Sequence, residues 1–233
     1  MGDILFFSSS ASEGPSYEMK IILFLVLLAS ISIHEWAHAF AADKLGDPLP
    51  RSEGRVTLDP RAHIDPIGTI LIPLVMIFIS PGISIIGWGK PVRISLPNPK
   101  TRRRDDLLIT IAGPLSNLLI ALGATFFFAL IFSLIPEGHK SVDAILDVFR
   151  TIVYLNCVLF VFNLLPVPPL DGSHFLKHAV NMREETYYSL SKYGIIILLV
   201  LINIPYFRDF MLIMIEASTG IFFGIFFSLI QLQ

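Results

Sequence analysis

Apolar stretches close to twenty residues recur along the chain, separated by short polar segments rich in proline, glycine and basic residues. They fall at 20–42, 67–86, 107–135, 144–165, 193–204 and 210–230. A bilayer's hydrocarbon core is about 30 Å thick, and a helix needs about 20 apolar residues to cross it. The pattern therefore predicts an all-α membrane protein, a polytopic helical bundle of about five or six transmembrane segments. Two segments depart from the simple pattern. Segment 67–86 is broken by Pro73 and by Pro81-Gly82, and 193–204 is short, so its start reaches back into "ETYYSLSK". Between the last two segments, "NIPYFRD" reads as a tight turn around Pro205.

Loop charge sets an orientation. Loop 43–65 carries Lys44, Arg51, Arg55 and Arg61, and loop 87–106 carries Lys90, Arg93, Lys100, Arg102, Arg103 and Arg104. The positive-inside tendency sends both to the cytoplasm. They share that side if 67–86 dips in and returns, and a broken, re-entrant backbone is tolerated where protein or water covers it. A complete span is the competing reading. On the re-entrant reading the N-terminus is outside and loop 171–192 is cytoplasmic. The arginines at 102–104 need no role beyond topology and contact with anionic lipid. Stretch 87–99, "GWGKPVRISLPNP", has the alternation of a short strand and reads as a short β-like loop near the site, with a plain loop as the competing reading.

Composition agrees with a membrane protein: 54% of residues are hydrophobic and 15% charged, against about 25% charged in soluble domains. The formal net charge of −2 argues against a nucleic-acid partner. Cys157 is the single cysteine, which excludes an internal disulfide and cysteine-based metal sites. Residues 1–18 lack a basic stretch ahead of an apolar core, and Phe6 stands where an N-myristoylation motif needs Ser or Thr. They are expected to form a flexible tail ahead of a single transmembrane domain at 19–233, without internal repeats.

The candidate chemistry lies in the first segment. "SISIHEWAHAFAADKLG" (30–46) places His34, Glu35 and His38 inside an apolar run. Ionisable residues at that depth are expensive and mark function. Residues four apart on a helix lie about 40° apart around the axis and about 6 Å along it, so both imidazoles can reach one ion. Glu35 sits one step round, able to reach a water on that ion. This is the H-E-x-x-H arrangement of two zinc ligands plus a general base.

A catalytic zinc needs a third protein ligand and one open position. The sharpest candidate is Asp171 in "NLLPVPPLDGSHFLKH", where a proline run ends a span and presents a carboxylate. Capping of the following helix is the plainer role for it. His174 and His178, also four apart, are the rival ligands, but no glutamate follows His174; they read as surface histidines, or as groups that support the ligands from behind. His63 and His139 receive no role.

These residues resemble the site-2 protease family of intramembrane zinc metalloproteases. The match rests on "HEWAH" in a span, "AGPLSN" at 112–117 and "NLLPVPPLDG" at 163–172, which fits N-x-x-P-x-x-x-L-D-G. "GRVTLDPRAHIDPIGTILIPL" and "GWGKP" look like the compact bacterial branch without a PDZ domain, and the resemblance spans roughly 20–180. It implies His34, His38 and Asp171 as ligands of one Zn2+ per chain and Glu35 as the catalytic base. It places Asn163 near the site, holding substrate backbone or orienting groups around the metal, and Asn117 and Gly113 in a helix between the motif helices. "LDGSHF" departs from the "LDGG" of many relatives, which leaves the ligands alone but bears on local access.

The resemblance implies cleavage of membrane-anchored proteins within or near their spans, at the cytoplasmic side of a bacterial cell membrane. His34 lies about 14 residues past Lys20, roughly 20 Å along a helix, so the metal falls in the cytoplasmic half. The substrate's identity and the oligomeric state stay open. Two other readings compete: a metal-binding or metal-transporting membrane protein, for which Glu216 in the last segment is the main further ionisable group, and an inactive scaffold of the same fold, against which the intact Glu35 speaks.

Overall fold

The computed structural model describes residues 16–79, 87–136, 139 and 141–231. Most of the expected tail, residues 1–15, lies outside them. Ser16 caps the first helix by accepting from the Met19 N–H at 3.3 Å, so that helix begins inside the stretch expected to be tail.

Four helices are long and apolar enough to cross a membrane: α1 (Tyr17–Lys44), α4 (Arg102–Leu134), α5 (Val142–Asn163) and α9 (Pro205–Gln231). Between α1 and α4 lie α2 (Leu49–Ser52), a 3-10 turn at Pro60–Ala62, a π-type turn at Pro66–Leu71 and α3 (Ile72–Phe78). After α5 come α6 (Gly172–Ala179), α7 (Glu184–Ser191) and α8 (Gly194–Ile202). The pair α7 and α8 bends by 58° and is apolar enough together to count as a fifth span. This is the continuation of segment 193–204 into "ETYYSLSK" that its length required. The chain is thus an all-α polytopic membrane protein with four or five spans among the described residues. The described part of segment 67–86 is shorter than a span: six residues of π-type turn followed by the seven of α3. Pro81 and Gly82 lie outside the described residues.

Helix α4 is the centre of the bundle, packing on α1, α5, α6 and α9. One apolar core joins Ala121, Ala124 and Phe128 of α4 to Phe149 and Val153 of α5 and Phe222 and Phe226 of α9. A second gathers Val161, Leu165, Leu198, Met211 and Ile215. On the α1 side, Leu27 and Ile31 meet Leu155. Small residues let backbones approach closely in membrane bundles, and Ala37, Ala39 and Ala42 are buried near the polar end of α1. Leu119, Phe126, Phe127 and Leu130 on α4, Ile196 and Val200 on α8, and Ile213 and Ile221 on α9 point outward. Such an apolar exterior is stable against lipid rather than water.

No strand occurs among the described residues; 87–98 is an extended strap without a ladder partner. A strand needs a neighbouring backbone to complete its hydrogen bonds. Here the main chain is satisfied piecemeal. Trp88 N–H donates to Gly68 O at 3.2 Å, Lys90 N–H to His63 O at 2.8 Å, and Ser95 and Leu96 N–H to Asp47 Oδ2 at 2.5 and 3.1 Å. Ser95 Oγ donates to the other Asp47 oxygen at 2.6 Å. Burial alone would raise the Asp47 pKa, but the Ser95 hydroxyl and the N–H groups of Leu49, Ser95 and Leu96 outweigh it and hold the carboxyl below its ordinary range. Asp47 is therefore an ionised clamp that fixes the strap across the end of α1.

Candidate metal centre

Three side chains distant in sequence meet where α1, α4 and α6 converge. The Nε2 atoms of His34 and His38 are 3.1 Å apart. Asp171, at the start of α6, places Oδ2 3.1 Å from His34 Nε2 and Oδ1 3.4 Å from His38 Nε2. One ligand atom from each of the three lies within 4.8 Å of the others. Helical spacing brings the histidines together. The turn built from Pro166, Pro168 and Pro169 brings up the carboxylate, and the Pro168–Pro169 peptide is cis.

Hydrogen bonds fix the tautomers. His38 Nδ1 lies 2.7 Å from the Ile109 carbonyl oxygen, which can only accept, so the proton is on Nδ1. His34 Nδ1 lies 2.8 Å from Asn117 Oδ1. Asn117 Nδ2 donates to Asn156 Oδ1 at 3.1 Å, and Asn156 Nδ2 donates to Ile152 O at 2.9 Å. The chain ends on a carbonyl, which sets the polarity of both amides and leaves Asn117 Oδ1 as the acceptor from His34. In the neutral form of each ring, Nε2 then carries the lone pair, and both Nε2 atoms face each other and the Asp171 oxygens. Asp171 Oδ2 is buried and accepts no hydrogen bond. Converging lone pairs repel unless a proton or a cation sits among them, and nitrogen and carboxylate donors in this number suit zinc. The residues fit the metal.

Asn156, fully buried in α5, escapes a motif search, although a lone amide inside an apolar span was itself the clue. Asn156→Leu removes the group that orients Asn117. Outer partners of a ligating histidine are worth about 10–100-fold in metal affinity, and a loss of that order in chelator competition is the expected result.

Gly113 explains why α4 carries a glycine beside the histidines. A Cβ there would overlap His38 Nε2 and stand 2.6 Å from His34 Nε2. Gly113→Ala is expected to fold, because glycine to alanine favours a helix, and to bind metal at least about 10-fold more weakly. Zinc content after purification, set beside the helical circular-dichroism signal, checks both halves.

Glu35 lies on the wall of a cavity of about 500 Å³ shared with His34, His38 and Asp171. The strap passes close over it, for a Cβ on Gly89 would lie 2.7 Å from Glu35 Cγ. Behind it, Arg55 is 3% exposed and holds Nη2 3.9 Å from Glu35 Oε2. The same nitrogen donates to the Lys90 carbonyl of the strap. Burial lowers the Arg55 pKa against the opposing charges of Glu35 and Glu53. Arg55 thus ties strap and carboxylate together; in the sequence it was one basic loop residue among several. His63, fully buried, supports the same loop through Nε2 to Thr57 O at 2.8 Å.

Asn163 also lines the cavity, with Nδ2 donating to Leu159 O at 2.9 Å. Asn117 contacts His34 directly, and Gly113 is the close-approach point, so all three secondary positions fall at or beside the site. His174 and His178 are not surface histidines. His174 Nδ1 lies 3.1 Å from both oxygens of Asp106 and His178 Nε2 lies 2.6 Å from Oδ2. The Asp106 side chain is 2% exposed. In the sequence Asp106 is hidden behind the arginines at 102–104.

Fold and site together define a class: a polytopic membrane protein whose H-E-x-x-H histidines meet an aspartate from a second motif in a group that could hold a metal ion. The sequence model described as Peptidase family M50 matches residues 131–202. "Putative zinc metalloprotease YwhC" of Bacillus subtilis (strain 168) is 39% identical over 194 residues, 81% of this chain and 84% of that protein. "Putative zinc metalloprotease Rip2" of Mycobacterium tuberculosis (strain ATCC 25618 / H37Rv) is 31% identical over 209 residues, 88% of this chain and 71% of that protein. No solved structure matches the chain. The chain belongs to peptidase family M50, the site-2 protease family, and is a zinc metalloprotease.

Proposed function

We propose that this metalloprotease hydrolyses peptide bonds within or near the transmembrane segments of membrane-anchored proteins, at the cytoplasmic side of the cell membrane. In this reading His34, His38 and Asp171 hold the zinc and Glu35 is the general base. The observation that carries it is the convergence of two imidazole nitrogens and a carboxylate inside the bundle, with a second carboxylate beside them on the cavity wall.

Zinc bound there supplies a Lewis acid that acidifies water and polarises the scissile carbonyl. Glu35 accepts the proton of the attacking water and returns it to the leaving amide nitrogen. Arg55 steadies the Glu35 carboxylate from behind. Asn117 and the Ile109 carbonyl hold the two imidazoles in the tautomer that keeps Nε2 free. A helical substrate hides its carbonyls in internal hydrogen bonds, so it must unwind before cleavage. The strap runs extended along the cavity through Trp88, Gly89, Val92 and Ile94, and an extended segment of substrate can lie along it by backbone pairing. Apolar walls from Ile195, Leu198 and Ile202 of α8 suit the side chains of a membrane segment.

Comparing membrane-peptide fragments between wild-type and Glu35→Gln cells tests the proposal. Fragments ending inside membrane spans are expected to vanish in the variant while their anchored precursors accumulate. Identical fragment patterns would count against it.

A further inference from the structure

Asp171 has no hydrogen bond that fixes its Oδ2, and it lies at the junction of a proline-rich turn and an eight-residue helix. Its backbone is held by that turn on one side and by α6 on the other. Toward α7, Ser173 Oγ meets the Tyr187 hydroxyl at 2.9 Å and Lys177 pairs with Glu184 at 2.9 Å. Those ties join two short helices to each other and do not relate α6 to the histidines. Among the described hydrogen bonds and ion pairs, those that join α6 to α4 converge on Asp106, which takes both His174 and His178.

Asp106 stands three residues from Ile109, whose carbonyl orients His38, and on the same helix as Asn117, which orients His34. A buried carboxylate is costly unless paired, and here two imidazoles one helical turn apart satisfy it from one side. The spacing His174-x-x-x-His178 puts both rings on the face of α6 that meets α4, and α6 begins at Asp171.

We propose that Asp106 is a positioning residue for the metal centre: with His174 and His178 it locks α6 onto α4, and so places Asp171 against the two histidines. One helix then sets all three ligands, two through direct hydrogen bonds and the third through this clamp. Asp106 touches neither the metal nor the substrate. The inference rests on the zinc-site reading above and adds a residue set that the H-E-x-x-H and L-D-G motifs do not contain.

The test uses the full chain purified in detergent, with zinc affinity measured by competition against a chromogenic chelator and the site geometry read from the visible spectrum of the cobalt(II)-substituted protein. Asp106→Asn and His178→Ala are each expected to weaken zinc binding about 10–100-fold and to change the cobalt spectrum, with thermal unfolding of the metal-free protein still cooperative. The double variant is expected to bind no more weakly than the weaker single one, because the residues act as one clamp. Should Asp106→Asn fail to fold, His178→Ala decides alone, since its ring reaches Asp106 from the edge of the cluster. Wild-type affinity and an unchanged cobalt spectrum in folded His178→Ala overturn the clamp. Failure of the wild type to bind zinc overturns the metal-centre reading instead.

Discussion

Glu35→Gln is expected to bind one zinc per chain, as the wild type does, and to lose peptide hydrolysis by about 100- to 10,000-fold, the usual worth of a positioned general base. Glutamine has nearly the same shape, so it fills the same place beneath the strap and beside Arg55. It cannot accept the proton of an attacking water. Because Glu35 is not among the three converging donors, its replacement leaves the metal set intact. Two assays on one preparation separate the outcomes: metal content by elemental analysis and cleavage of a membrane-anchored peptide. Zinc lost together with activity would make Glu35 a ligand. Activity kept would remove it from the chemistry.

Asp171→Ala is expected to have the complementary effect: zinc binding weakens, and activity falls with it. Zinc binding at a four-ligand site is worth about 10–16 kcal/mol, so one ligand's share is about 3 kcal/mol, or roughly 100-fold in affinity. The same loss is expected for His34→Ala and His38→Ala. His34→Ala also leaves Asn117 Oδ1 without its partner, which costs stability because a buried polar group goes unsatisfied. Asp171→Ala removes a buried carboxylate whose Oδ2 has no hydrogen bond, so the metal-free protein is expected to be no less stable than wild type. Thermal unfolding of the metal-free proteins, read beside zinc titration, separates ligand loss from misfolding.

The parts of this site that follow a local chemical rule were legible in the sequence. Two imidazoles four apart in an apolar run identify themselves, because helical geometry sets their distance and the bilayer makes them costly. Asp171 was legible because a proline run and a following glycine isolate it. The long spans stood out for the same reason, since their length is set by the bilayer.

What stayed hidden depends on contacts between distant residues. The partners of His174 and His178 lie on α4, about seventy residues away, and two histidines near a lysine look like any surface helix. Arg55 counted toward loop charge, yet its guanidinium is buried between the strap and Glu35. The strap had the alternation of a strand but found no neighbouring backbone, because Asp47, His63 and Gly68 took its hydrogen bonds. The 58° bend between α7 and α8 leaves the candidate fifth span in two pieces.

The most direct measurement reconstitutes the purified protein in liposomes with a single-span substrate and maps the cut by mass spectrometry, with and without a zinc chelator. New termini are expected inside or at the edge of the substrate's membrane segment, absent after chelation and restored by adding zinc. Cleavage confined to soluble loops, or cleavage that persists without zinc, would contradict it.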